Sequence, residues 1–544
     1  MQSAALAARD IVFATASVTN TAPGIMHNAA PLAIFWCSMP RRLRAGAVGL
    51  TRRCCRGSAA AAGLLFAYAA IWTASATIWN LGIPIHSDMA EAFALSREPA
   101  IGYFKFAPLI NWVTAAWFLA MPITPWAFYG LAYLNAALGM ALVNLAASFV
   151  VDPRRRLIAV ALLGLSPIFT FAPALFNHNT FQLSLWPLVV WTFFASIERA
   201  NLWWSIAFGV ASGLAILGKY YAGLIVLACM LAVLLHPQRR SYLGSTRPYL
   251  AATACAVVLA LNFFWLFNHD FVSIRLHINQ ERTVDHPLTV AAHVLSFIGA
   301  FVLLALTMVL AFWFCFRPWS AAKAKSVVAD WRGNRVIVGC IAFAPVLLPA
   351  ALLAPAGILL RSPWNDPAFF FVPLALVSAP RLLVTYRATA ATVGAVAATT
   401  VLVLALSPIL AIGNFLTAQP AAVEPVVALA RFATDTWRER VGKSLEFVAG
   451  SNDAAWSVSF YSPDHPQVFP GYSEFLSQAD IDRRWKERGV LGICRAQDSW
   501  CSDMFSRSLP GAERVETTLT PTFLGLRRAP ETYTLYFQLR GAAQ

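Results

Sequence analysis

Charge is scarce in this sequence: Asp, Glu, Lys and Arg supply only 12% of its 544 residues. A soluble chain of that length needs far more polar side chains to cover its surface, so a soluble globular fold is excluded. Acid is scarcer than base, 26 residues against 41, leaving a net charge of +15. Such an excess can serve nucleic acid, but here the basic residues sit in short clusters between apolar runs rather than along one soluble face. That is the pattern of cytoplasmic loops under the positive-inside rule, and no nucleic-acid partner is expected. A glycine-rich phosphate loop, a serine-nucleophile elbow and a metal-binding helix motif are all missing. Also missing are a secretory signal with a convincing cleavage site, an internal repeat, and any low-complexity tract beyond alanine-rich spans. Cysteine is sparse where it could matter. Of nine, Cys37, Cys54, Cys55, Cys229, Cys255, Cys315 and Cys340 fall in the N-terminal tail or in apolar runs and read as inert fillers. Cys494 and Cys501 alone lie in the polar C-terminal region, at a spacing unlike a zinc site; they can pair if that region is extracytoplasmic and stay reduced if it is cytoplasmic.

What the sequence has in abundance is apolar length: 58% hydrophobic residues, a mean hydropathy of +0.61, 19 Trp and 38 Phe. These values define a mainly α, polytopic membrane protein. Residues 1–57 read as a cytoplasmic tail without regular structure, with Met39 an alternative start. The arginines at 41, 42, 44, 52, 53 and 56 precede a first span at about Ala59–Leu81, which orients its N-terminal end to the cytoplasm. Further spans are expected at about 126–151, 157–175, 180–197, 202–218, 220–236, 249–268, 289–316, 336–355, 367–380 and 388–413, making about eleven. Under alternation the inside loops collect most of the arginines and lysines, although that asymmetry did not enter the choice of spans after the first. Residues 58–417 therefore form a transmembrane domain, with its first outside loop at 82–125. An odd span count places 418–544 outside, where a Cys494–Cys501 disulfide is expected. Apolar strands (Leu445–Ala449, Gln467–Phe469, Val490–Ile493, Thr532–Leu539) alternate there with helical patches (Asp453–Tyr461, Gln478–Arg488), the pattern of a small extracytoplasmic α/β domain.

The first outside loop, HSDMAEAFALSREPAIGYFKFAP from His86 to Pro108, concentrates charge between two apolar segments. Charges beside a bilayer need water or partners, so such a loop reads as a functional site. Asp88 and Glu91, three apart, share a helix face; two such carboxylates suit base catalysis, cation binding or hydroxyl recognition, or else Asp88 caps a helix starting near Met89 while Glu91 is solvated. Lys219, in LGKYYAG, interrupts an apolar run and either meets an anion such as a phosphate or snorkels to the interface. Asn177, His178 and Asn179 occupy a short outside turn that can bind sugar hydroxyls or simply be polar. Another polar loop holds His277, Asn279, Glu281, Arg282, Asp285 and His286, with Arg282 the candidate anion contact.

Taken together, DMAEAFALSREPAIGYFKFAPLINW, LSPIFTFAPALFNHNTFQLSLWP and GLAILGKYYAGLIVL resemble the GT-C membrane glycosyltransferases. The likeness is to the family 39 group related to protein O-mannosyltransferases and the lipid A aminoarabinose transferase. It covers about 60–310, and the later spans by pattern. It implies a GT-C fold and transfer of a hexose or pentose, with inversion, from a polyprenyl-phosphate donor to a lipid, glycan or protein acceptor, at the outer face of a bacterial inner membrane. Asp88 would then be the base and Glu91 its assistant, while Lys219 and Arg282 would hold the donor phosphate. Tyr103, Lys105, Asn177, His178, Asn179 and Tyr220 would contact substrate. No nucleotide is implied; a divalent cation is compatible with the acids but nothing indicates one. The sequence departs from the family where an adjacent acidic pair becomes Asp88 and Glu91, where His-Pro-Pro becomes Phe106-Ala107-Pro108, and where a later acid becomes Asn177 or Asn179. The rival readings are a transporter or flippase of lipid-linked sugars and a non-catalytic membrane scaffold. A transporter would more often carry mid-span charges and symmetric halves, and neither is visible here.

Overall fold

A computed structural model of the protein describes residues 58–199, 201–282, 287–316, 334–378, 384–469 and 478–539, together with 48, 49, 51 and 54. Most of the tail expected over 1–57, the loop residues Asp285 and His286, the basic stretch from Arg317 to Arg332, and Arg381 lie outside the described residues.

Among the described residues, seven helices are long and apolar enough to cross a membrane: Ala59–Trp79, Pro125–Ala147, His178–Glu198, Arg247–Asn268, Pro287–Trp313, Asn334–Ala356 and Tyr386–Thr417. At ~1.5 Å per residue, a helix of about 20 residues matches the ~30 Å hydrocarbon layer. The chain is a multi-pass membrane protein. Four of the expected spans take other forms, each for a local reason. The one expected over 157–175 is a pair of helices, Pro153–Leu163 and Pro167–Ala174, bent by 75°. Pro167 has no N–H to continue the first helix, and the Ser166 side chain accepts from Ile168 N at 3.2 Å to start the second. Those expected at 202–218 and 220–236 are shorter apolar helices, separated at Lys219, whose backbone is extended (φ −165°, ψ 125°). That expected at 367–380 is a 3-10 helix, Ser362–Phe371, running into Val372–Val377; Pro367 and Pro373 deny it a continuous α ladder.

The chain comprises two compact units. One comprises Met1–Ala74, Gly130–Ala174 and His178–Ala405; the other comprises Ser75–Tyr129, Leu175–Asn177 and Leu406–Gln544. The segment 82–125, expected as the first outside loop, therefore groups with the C-terminal region rather than with most of the spans.

That C-terminal region is an α/β sandwich. Its strands are β1 (Phe447–Gly450), β2 (Gln467–Val468), β3 (Val490–Arg495), β4 (Glu513–Leu519) and β7 (Glu531–Gln538), ordered β2-β1-β3-β7-β4. β2, β1 and β3 run parallel, while β7 is antiparallel to both β3 and β4. A two-residue period sorts β3 between two cores. Leu491 and Ile493 pack with Leu429, Trp437, Ala455 and Val458 from the Val426–Val441 and Asn452–Tyr461 helices. Val490 and Cys494 pack on the other side with Trp485, Cys501 and Phe505 from the Gln478–Arg488 and Ser499–Ser508 helices. Cys494 and Cys501 are disulfide-bonded within this second core, with Cα atoms 5.7 Å apart. Gly450 (φ 131°) has no substitute: a Cβ there would lie 2.0 Å from the Ile493 carbonyl oxygen.

In the same unit the Ser87–Ser96 helix lies on the Asn452–Tyr461 helix. Phe93 meets Phe460 at 5.2 Å and Phe118 at 5.4 Å, both edge-on. The Tyr461 hydroxyl accepts from Ile85 N at 2.8 Å. These aromatic pairs contribute beyond their apolar area and hold the acidic loop against the sandwich.

Candidate functional site

The functional side chains form two clusters, one in each unit. In the unit containing the sandwich, His86 caps the Ser87–Ser96 helix, its Nδ1 accepting from Asp88 N at 3.2 Å. Asp88 is therefore not the N-cap, the alternative role open to it. It stands in the first turn, where a carboxylate meets the positive end of the helix dipole. Its side chain is 43% exposed; Asn177 Nδ2 donates to Oδ2 at 3.0 Å, and His86 Nδ1 lies 3.7 Å from the same oxygen.

Glu91, one turn on, is not solvated: its side chain is 4% exposed. Both of its oxygens accept from Lys105 Nζ, at 2.9 and 3.1 Å. The ammonium also lies 4.5 Å from the Phe106 ring centre and 5.4 Å from that of Trp456, so two aromatic faces and one carboxylate hold it. Tyr103 is buried and spent on the loop itself: its hydroxyl bonds the Glu98 carbonyl at 2.8 Å and accepts from Ala100 N at 3.0 Å. It braces the loop.

Burial pushes the Glu91 carboxyl up to about 7; Lys105 pulls it down, and the charges of Asp88 and Asp453 push it further up. In the unfolded chain it returns to its ordinary value of 4.5. Between those values the native state holds a proton that the unfolded state lacks, so stability falls as pH rises through the window. The contribution is complete below pH 4.5 and lost above about 7, with an upper bound of about 3 kcal/mol. Glu91→Gln is expected to remove it. Melting of the wild type should fall from pH 5 to pH 8 relative to the variant, and a rise instead would mean that the Lys105 pair outweighs burial.

In the other unit, Lys219 sits in the break between its two apolar helices. Its Nζ donates to Asn179 Oδ1 and lies 5.2 Å from the ring centres of both Tyr221 and Trp364. Asp366 and then Glu281 supply the opposing charge it feels. Glu281 is itself bonded to Arg361 at 2.8 Å. The break is closely packed: a Cβ on Gly218 would lie 2.7 Å from Gln182 Nε2 and from Leu185 Cδ1, so any larger residue must displace those side-chain ends. His178 Nδ1 lies 3.0 Å from the Gly218 carbonyl oxygen, and the Tyr220 hydroxyl donates to Asn262 at 3.1 Å. Arg282 ends the Val272–Glu281 helix and forms a backbone bridge with Ile358, with its side chain exposed. Arg361, not Arg282, is the arginine bonded to Glu281.

Sequence reasoning missed Asp366, Trp364 and the pairing of Glu91 with Lys105. WNDPAFFF reads as the edge of an apolar run, and only the fold brings its Trp and Asp to Lys219. Among the described residues no group of three His, Cys, Asp or Glu is arranged to hold a metal ion.

The chain has the fold of the GT-C membrane glycosyltransferases. Among the solved structures it matches are those of ArnT from Cupriavidus metallidurans. The apo form superposes with a TM-score of 0.50 at 15% identity, covering 89% of this chain and 99% of that one. The form bound to undecaprenyl phosphate gives 0.51, also at 15% identity and with the same coverage. Residues 105–265 match the family model described as dolichyl-phosphate-mannose-protein mannosyltransferase. No curated protein matches the chain by sequence.

Proposed function

We propose that the chain is an inverting glycosyltransferase that moves a sugar from a polyprenyl-phosphate carrier to an acceptor hydroxyl at the extracytoplasmic face. The observation that carries this reading is the unequal environment of the two acids. Asp88 is water-accessible and held by Asn177, as a base must be to reach an incoming hydroxyl. Glu91 is buried on Lys105 and orients the loop. Asp88 takes the acceptor proton, the acceptor oxygen bonds to the anomeric carbon, and the bond from that carbon to the phosphate oxygen breaks. Polyprenyl phosphate leaves with its extra negative charge, which Lys219 offsets. The acceptor is a lipid, a glycan or a protein.

Topology supports the placement. The seven long helices, the bent pair, the two shorter apolar helices and the segment 362–377 make eleven crossings if each traverses the bilayer. Alternation then puts the loops bearing Asp88, Asn177, Lys219, Arg282 and Arg361, and the C-terminal domain, on one side. Six arginines before the first span put its start in the cytoplasm, so that side is outside, where a disulfide is also at home. A reporter that is active only outside the inner membrane, fused after Gln544, is expected to be active; an inactive fusion overturns the eleven-crossing topology.

The reading itself is tested by incubating purified protein with a labelled polyprenyl-phosphate sugar and envelope lipids, glycans or proteins. Labelled product and matching release of polyprenyl phosphate are expected. Absence of transfer to all three acceptor classes overturns it.

A further inference from the structure

Beyond its sheet, the C-terminal domain carries a small hairpin of β5 (Thr522–Phe523) and β6 (Leu526–Arg527), which pair only with each other. Leu524 and Gly525 turn the hairpin, at φ 49° and 80°. The left-handed region is natural for glycine and strained for leucine. Leu524 is also 74% exposed, a large apolar side chain displayed at the tip of a strained turn.

Its neighbours indicate what it meets. The Phe523 ring lies 5.7 Å from that of Phe415, in the last turn of the Tyr386–Thr417 span. A Cβ on Gly82 would come within 2.9 Å of the Phe523 ring, so the hairpin also abuts the chain just past the Ala59–Trp79 span. Arg528 donates to the carbonyls of Leu416 and Ala418, the second at 2.7 Å, satisfying groups that a helix end leaves open. The hairpin is thus fastened where two spans end. At these two anchor points Leu81, beside Gly82, is 62% exposed, and Leu416, whose carbonyl Arg528 holds, is 49% exposed, so apolar side chains are displayed there as Leu524 is. Arg527 is exposed beside them.

We infer that the Leu524 hairpin is a membrane-seating element. Leu524 enters the headgroup–acyl boundary of the bilayer, and Arg527 meets lipid phosphate above it. A leucine at the apolar level with a basic side chain at the headgroup level is the chemistry by which interfacial segments bind. The occupant is the bilayer because the hairpin is fastened at the ends of two apolar spans, beside the exposed Leu81 and Leu416. The inference needs only that the spans cross a membrane, and it is independent of any sugar transfer.

The test uses full-length protein in nanodiscs containing phosphatidylglycerol. Leu524→Cys and, as a control on the exposed edge strand β4, Glu516→Cys are labelled with a nitrobenzoxadiazole fluorophore, with the labelled parent subtracted as background. The label at 524 is expected to emit at shorter wavelength than the label at 516. Lipids carrying a nitroxide near the headgroup should quench it at least threefold more, and aqueous iodide correspondingly less. Equal quenching of the two sites by both agents overturns the inference. In a second arm Arg527→Gln is combined with labelled Leu524→Cys. A smaller blue shift than with Leu524→Cys alone is expected in phosphatidylglycerol discs. An unchanged shift removes Arg527 from the element.

Discussion

Asp88→Asn is expected to lower the turnover of sugar transfer by about 10³-fold while leaving the affinity for the polyprenyl-phosphate donor within a factor of about three. The substitution is close to isosteric, and Asn177 can still donate to the amide oxygen as it does to Asp88 Oδ2 at 3.0 Å. What disappears is the ability to accept a proton. An acceptor hydroxyl must lose its proton as it attacks, and without a base in hydrogen-bond reach the developing oxonium has no outlet. The loss should therefore fall on kcat rather than on donor KM, since it removes an interaction made only in the transition state. Glu91→Gln is the comparison that divides the labour. Glu91 lies buried against Lys105, so its variant should alter the stability profile with pH and lower turnover less than Asp88→Asn does. Equal turnover by Asp88→Asn and the wild type would remove Asp88 from the base role. A loss confined to Glu91→Gln would move that role one helical turn along the loop.

The sequence made part of this loop legible. Three-residue spacing alone puts Asp88 and Glu91 on one helix face, as the Ser87–Ser96 helix has them. What it could not supply is the contrast between them. Lys105 reaches Glu91 from 14 residues away because Trp112 and Tyr103 fold the intervening segment back through bonds to Ala100 and Glu98, and such bonds leave no periodic trace. The cap escaped for a similar reason: an imidazole at His86 fills the role that was one of the alternatives for Asp88. Long spans are legible because length and hydropathy are local properties. Broken ones are not, since the outcome at Pro167 or Lys219 depends on which partners satisfy the interrupted backbone. In the sandwich, the four expected strands overlap β1, β2, β3 and β7, and apart from Gln538 the residues these strands bury are apolar. The sequence reading omitted β4, ERVETTL, because it is an edge strand with much of its surface in water and little apolar signal to detect.

Lys219→Met is expected to lower kcat/KM for the donor by about 10²- to 10³-fold, with acceptor KM little changed, because a positive charge aimed at a leaving phosphate acts most strongly as that charge develops. Methionine keeps much of the apolar stem against Tyr221 and Trp364, so the aromatic box is not emptied. A bland account competes with this one: Lys219 could serve only to neutralise Asp366, and its loss could matter only because a carboxylate is left without its counter-charge. The two accounts separate in a double-mutant cycle. If neutralisation is the whole role, Asp366→Asn added to Lys219→Met restores activity, since an uncharged pair has nothing left to balance. If Lys219 holds the donor phosphate, the double variant stays as inactive as Lys219→Met, and Asp366→Asn alone changes donor KM by at most about tenfold while shifting its salt dependence. Recovery of transfer in the double variant would dismiss Lys219 as a phosphate ligand and leave Asp88 as the one charged group tied directly to the reacting atoms.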